Sequence, residues 1–486
     1  RTNNFFNVSN TNKKDETLFR IKLFLNPMNK LKIKLTVYRI DINNGYDVWT
    51  PDNNGYTTYS DFKGADSQIT NALAIRSNFV TPILSVPTNF LSISTFSTND
   101  MKYSYDGDWG NTDYWKGDPF NFDPEVEGWS YDFFDKTNRE RQTFSQEIRL
   151  YKSLFSGSQL TTGFYTKSTT EKDMASGYLM GGNASNYEGQ FDLVNSAGYF
   201  QYEYQLMPEL SVLVNSRFEN SVIDYKGESN NYGADSTTID VQTKATLVGY
   251  KSSVKYNFSQ TAMVYSSISR GYKMGGINQN PYLDVTNRSY EPEFNLNYET
   301  GYKWVTQKNQ LQFTVFYMDR QNQQVNISSQ QEEGNPNSFY FFTANAASGN
   351  NYGAEFDYST KFFNKLIAHI DLGYLSTKVD PYEFKTDSAT TIILGNRELA
   401  HAPKYTFSIR LNYSLPFNLT AGLALSGKNK FYYSDSHNQQ SKAYKLLDLN
   451  LDYKCFSIET FTAHTAKQIR KSFKTISHFR FDSGGL

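Results

Sequence analysis

The sequence holds one cysteine, Cys455, in 486 residues. That excludes an intrachain disulfide framework and any cysteine-rich metal site. No run of roughly 18 apolar residues occurs, and mean hydropathy is −0.61, so a bundle of membrane-spanning helices is excluded. Charge bias is missing too. Lys and Arg number 48 against 49 Asp and Glu, a net charge of −1, which leaves no electrostatic case for nucleic acid. The five histidines, His369, His401, His437, His464 and His478, include no pair at zinc-ligand spacing. A phosphate-cradling glycine loop and a Cys/His nucleophile pair are also lacking. No metal ligand or cofactor follows from the residues. The chain starts at Arg1 without an initiator Met or a signal peptide, and so reads as a processed protein or a fragment.

Aromatic residues are abundant: 16 % of the chain, with 37 Tyr and 37 Phe against 5 Trp. They fall in segments of period-two alternation, the pattern of a strand with one apolar face. Leu31, Ile33, Leu35 and Val37 alternate with Lys32, Lys34, Thr36 and Tyr38. Leu311, Phe313, Val315 and Tyr317 alternate mainly with Gln310, Gln312 and Thr314, and Leu447, Leu449 and Leu451 with Asp448, Asn450 and Asp452. About 17 such segments can be counted, near 17–25, 31–41, 68–81, 89–97, 142–152, 159–168, 191–206, 210–223, 244–257, 261–270, 296–306, 310–320, 351–362, 366–379, 403–415, 418–428 and 444–454.

The connections alternate between two classes. One is short, as at Met207-Pro208-Glu209, Gln307-Lys308-Asn309 and Pro416-Phe417. The other is long and polar, over 42–67, 98–141, 169–190, 225–243, 271–295, 321–349, 380–402 and 428–443. Short turns at one end and long loops at the other are the asymmetry of an outer-membrane β-barrel, with polar residues facing the lumen and apolar ones the lipid.

Four phrases sit at the segment ends: Arg270-Gly271-Tyr272-Lys273; Glu291-Pro292-Glu293 with Asn297-Tyr298-Glu299-Thr300-Gly301-Tyr302-Lys303; Asn345-Ala346 with Tyr352-Gly353-Ala354-Glu355; and His401-Ala402-Pro403-Lys404-Tyr405. As an ordered series they resemble the barrel of a TonB-dependent outer-membrane receptor of the iron-complex type. The resemblance implies an all-β, transmembrane antiparallel barrel, incomplete, with about 17 strands visible where the family closes with about 22 around a plug. It implies residence in the outer membrane of a Gram-negative bacterium, in contact with its lipid. It also implies capture of a scarce nutrient, with a ferric siderophore or related iron complex leading over haem, cobalamin and oligosaccharides. Import into the periplasm would be driven by a TonB-type complex acting on a plug that would precede this chain. Residues 1–454 read as barrel without its first strands and plug. Residues 455–486 depart from the family pattern, and a frameshift or truncation is the simplest explanation.

For ligand contacts the richest stretch is 98–141, which carries Trp109, Trp115 and Trp129 with Tyr114 and Tyr131 among the nine carboxylates from Asp106 to Asp135. Rings suit a planar ligand by stacking, while packing of those rings on one another is the plainer use. Asp52-Asn53-Asn54-Gly55, near Asp61 and Asp66, lacks the alternating carboxylates and final Glu of a calcium loop and reads as an Asn-Gly turn. Two other classes compete with the receptor. A passive porin shares the alternation, and a barrel enzyme would place a nucleophile and base at a loop tip such as Ser436-His437.

Overall fold

A computed structural model describes residues 10–83, 86–179, 182, 184–230, 236–330, 339–345, 348–385, 391–435, 438–453 and 476–481. Strands make up 72 % of the chain and helix 3 %. Eighteen strands form one antiparallel sheet in which each pairs with the next along the chain. They are β1 (Glu16–Met28), β2 (Leu31–Gly45), β3 (Ala65–Ile83), β4 (Val86–Asp106), β5 (Phe134–Lys152), β6 (Ser158–Leu179), β7 (Ala184–Gln205), β8 (Leu210–Asn230) and β9 (Thr237–Asn257). There follow β10 (Ala262–Lys273), β11 (Glu293–Val305), β12 (Asn309–Gln321), β13 (Gly349–Phe362), β14 (Leu366–Val379), β15 (Tyr405–Leu415), β16 (Leu419–Lys428), β17 (Tyr444–Tyr453) and β18 (Ile476–Phe481). All 17 expected strands are present. The eighteenth, β18, was not anticipated and pairs with β17 from Leu447↔Phe481 to Asp452↔Ile476. Among the described residues, β1 and β18 do not pair with each other, so the sheet is not closed. The possible strand at 456–462 lies outside the described residues.

Short turns join the strands at one end. Phe363-Asn364 and Phe417-Asn418 both take φ between 47° and 63° at successive residues. That is the type I′ signature, whose twist matches the flanking strands and which Asn tolerates.

The faces alternate as the spacing requires. Val194, Val214, Phe218, Val254, Tyr298, Phe313, Val315 and Tyr317 are exposed on the outer face. Charges line the inner face and pair there. Arg139 bonds Asp173 at 2.6 Å, Arg149 meets Glu147 at 2.5 Å, and Arg217 meets Glu219 at 2.8 Å. Tyrosines extend the network: Tyr272 donates to Glu219 and Tyr265 to Glu299. Glu293 takes Arg320, confirming a structural use for Glu291-Pro292-Glu293. Two of the four phrases also meet, since Glu291 N–H donates to Asn345 Oδ1 at 2.7 Å and the Asn345 amide returns to Glu291 O.

Three expected loops are instead strand. Between β6 and β7 only residues 180–183 intervene, not 169–190, and between β8 and β9 only 231–236, not 225–243. Likewise 98–141 shrinks to 107–133. The strands β3 to β9 run 19 to 22 residues each. At about 3.4 Å per residue and a tilt near 40°, 21 residues rise roughly 55 Å, about twice the ~25 Å apolar band. The upper halves escaped notice because their alternation inverts. In β8, Val214 and Phe218 point out while Arg217 and Glu219 point in; higher up, Ser221, Ile223 and Tyr225 are buried inside while Asp224 and Lys226 point out. The outer surface of a membrane barrel meets lipid only over its apolar band and water beyond it, so in so tall a strand an apolar set has reason to change faces.

The inward apolar residues of this tall wall, Tyr187, Leu193, Ile223, Tyr225 and Ile239, form a core with Ile277 from the segment after β10. A second core joins Leu283 of the same segment to Val325, Ile327, Phe342 and Val379. It is built on two loop hairpins, Gln324–Gln330 with Phe339–Asn345 and Tyr382–Lys385 with Thr391–Leu394. Residues 277–283 therefore bridge both cores. Tyr187 Oη donates to Gln279 O at 3.1 Å on one side, and the Asn278 amide exchanges two hydrogen bonds with Thr343 on the other.

Candidate functional site

Two loops at the tall end, 46–64 between β2 and β3 and 107–133 between β4 and β5, dock on each other. The first begins with the predicted turn: Asp52 accepts the Asn54 N–H, Asn54 Oδ1 accepts from Tyr56 and Thr57, and Gly55 takes φ 78°. The Asn54 side-chain amide first, and the Thr50 hydroxyl next, donate to the Asp52 carboxyl and hold it down at about 2. The second loop contains two short helices, α1 (Thr112–Lys116) and α2 (Pro124–Glu127), capped by the Asn111 and Asp123 side chains.

The pin between them is Asp106, at the top of β4. Its Oδ2 accepts backbone N–H from Asp61 and Phe62, and its Oδ1 from Asp108 and Trp109. Asn111 Nδ2 adds a bond to Tyr59 O at 2.7 Å. Rings complete the contact: Tyr59 packs on Tyr114 with centroids 4.5 Å apart, and Trp49 stacks on Trp109 at 5.7 Å and 25°.

Four of the five residues expected to meet ligand form one chain of rings. Tyr114 contacts Trp115 at 5.1 Å, Trp115 contacts Tyr131 at 4.8 Å, and Tyr131 contacts Trp129 at 5.8 Å. Phe120, Phe122 and Phe133 fill between them. Packing occupies most of these faces, and Trp115 and Tyr131 are half-buried. Trp129 stays 49 % exposed at the rim. Trp109 stands apart and stacks on Trp49, the pair being 39 % and 52 % exposed. Trp49 was missed because it lies in the other loop, and no spacing along the chain ties it to Trp109. The exposed pair suits stacking by a planar ligand.

Carboxylates lie beneath. Burial first, and Asp106 and Asp132 after it, push Asp61 up to about 7; burial and Asp106 push Asp108 up to about 8. A second cluster, Asp357, His369 and Asp371, lies on the inner wall, where Arg410 also pairs with Asp371. Ser436 and His437 lie outside the described residues. A surface hollow of about 820 Å³, lined by residues such as Val214, Val254, Tyr298 and Val315, lies on the barrel wall, away from the loops.

The sequence profile of the TonB dependent receptor-like β-barrel matches residues 35–466. The chain belongs to this family. Its members are receptors and transporters, not enzymes, and TonB-dependent barrels are outer-membrane proteins of Gram-negative bacteria. Among solved structures, the ferric yersiniabactin uptake receptor FyuA from Yersinia pestis superposes with a TM-score of 0.70 at 16 % identity, over 91 % of this chain and 63 % of that one. The copper transporter OprC gives 0.68 at 11 %, over 92 % and 65 %. The siderophore receptor PiuA from Acinetobacter baumannii gives 0.65 at 12 %, over 96 % and 73 %. At these identities the likeness is one of fold. The chain thus spans less than two thirds of the FyuA and OprC chains.

Proposed function

We propose that this TonB-dependent barrel sits in the outer membrane, captures a ferric siderophore or related iron complex with its loops, and delivers it for TonB-energised import. The observation that carries the reading is the family match over 35–466, supported by likeness to a ferric yersiniabactin uptake receptor and a siderophore receptor. The exposed Trp49–Trp109 stack supplies the recognition surface, because catecholate or heteroaromatic chelators present flat rings. Trp129 and Tyr131 belong to the same loop as Trp109 and touch each other, with Tyr114 and Trp115 holding the loop's shape. Capture is binding, so no residue is assigned a catalytic role.

Deleting the intact gene from the source bacterium should abolish growth on one ferric chelate as sole iron source. Unchanged growth on every ferric chelate and on haem sinks the iron reading. With the transported chelate in hand, Trp109→Ala should weaken binding by roughly tenfold.

A further inference from the structure

Three carboxylates from two loops point at one spot. Asp61 comes from the 46–64 loop, Asp106 from the top of β4, and Asp108 from the start of the 107–133 loop. Each offers one oxygen, and the three oxygens lie within 4.8 Å of one another. Negative charges so close repel strongly unless a cation or protons intervene. Among the described residues, no lysine or arginine forms an ion pair with any of them.

Hydrogen bonding accounts for only part of the cluster. Asp106 accepts four backbone N–H bonds, two on each oxygen, which fix its carboxylate in place while one oxygen still faces the other two acids. Asp108 Oδ1 accepts the Gly110 N–H at 3.0 Å, but Asp108 Oδ2 is fully buried and has no hydrogen-bond partner. The residue is only 6 % exposed and turns its carboxyl toward Asp106. A buried carboxylate oxygen with no donor is costly, and structures keep one where something else neutralises it. Asp61, half-exposed, leaves the cluster open to solvent on its side.

We propose that Asp61, Asp106 and Asp108 hold a hard divalent cation of the calcium class, which fastens the 46–64 loop to the 107–133 loop. The donor set selects the metal. All three ligands are carboxylates, no histidine or cysteine joins them among the described residues, and such oxygens favour calcium over metals that seek nitrogen or sulfur. The cation is structural and holds whatever ligand the loops capture, so this site stands apart from the iron reading.

Terbium(III) tests it, because it takes calcium sites and is excited by a nearby indole. The Trp115 ring lies against Gly110, two residues from Asp108. The full chain, purified in detergent, should give tryptophan-sensitised terbium emission that calcium chloride displaces. Asp61→Asn and Asp108→Asn should each lose roughly tenfold or more in terbium affinity, with β-sheet circular dichroism unchanged. In the unaltered protein, calcium should also slow proteolysis within 107–133 relative to chelator, a readout that needs no variant. Absence of calcium-displaceable emission, equal affinity in both folded variants, or equal proteolysis with and without calcium overturns the proposal.

Discussion

A single carboxylate, Asp106, decides whether two loops are one surface or two. It accepts N–H bonds from Asp61 and Phe62 of one loop and from Asp108 and Trp109 of the other. Asp106→Ala would strand four amides, and local opening of the loops should become easier by about 3 kcal/mol. Hydrogen exchange at those four positions checks this, while the barrel strands should keep their protection. At this scale the sequence was legible only where chemistry is local. The Asp52–Gly55 turn follows from Asn-Gly geometry and is found as such. Asp61 and Asp106 stand 45 residues apart, and nothing in their flanking residues announces that the β2–β3 and β4–β5 connections will meet. Trp49 and Trp109 escaped joint notice for the same reason. Trp115, Trp129 and Tyr131 were singled out together as ligand contacts, and the structure packs their rings on one another.

Among elements, β8 shows most plainly what alternation can and cannot reveal. Its lower half presents Val214 and Phe218 outward, and its upper half buries Ile223 and Tyr225 inward. The inversion yields a sharp contrast. Val214→Arg should cost about 2–4 kcal/mol, whereas Asn215→Arg, on the wet inner side, should change stability by less than about 1 kcal/mol. Further up the parity reverses: Ile223→Ala should cost about 2–4 kcal/mol and Asp224→Ala under about 0.5 kcal/mol. Urea unfolding from lipid vesicles measures the first pair, and hydrogen exchange in the upper strand the second. Equal effects of Ile223→Ala and Asp224→Ala would refute the inversion. A reader following one apolar phase loses the strand where the phase flips, which is why 169–190 and 225–243 looked like loops.

For the whole molecule, the family and the antiparallel barrel order were legible because strand spacing and rim phrases repeat along the chain, and the profile match over 35–466 agrees. The two cores at the tall end were not, since they join segments as distant as Tyr187 and Ile277, or Leu283 and Phe342. Asn278 links them, holding the Gln324–Gln330 and Phe339–Asn345 hairpin through Thr343. Asn278→Ala should speed exchange of the Thr343 amide by roughly tenfold, with Tyr225 in the wall unaffected. Equal protection in the variant would show that the hairpin is held by its own core alone.

That short bridge from Ile277 to Leu283 has a mechanical consequence. The tall side of the mouth is a continuous hydrogen-bonded ladder and behaves as a fixed jamb. The hairpins packed around Val325 and Phe342 are a leaf hung beside it, with their own interior and, among the described residues, the Ile277–Leu283 segment as the pin to the jamb. Any movement of this mouth is therefore one-sided, and the seven residues of the pin set its stiffness.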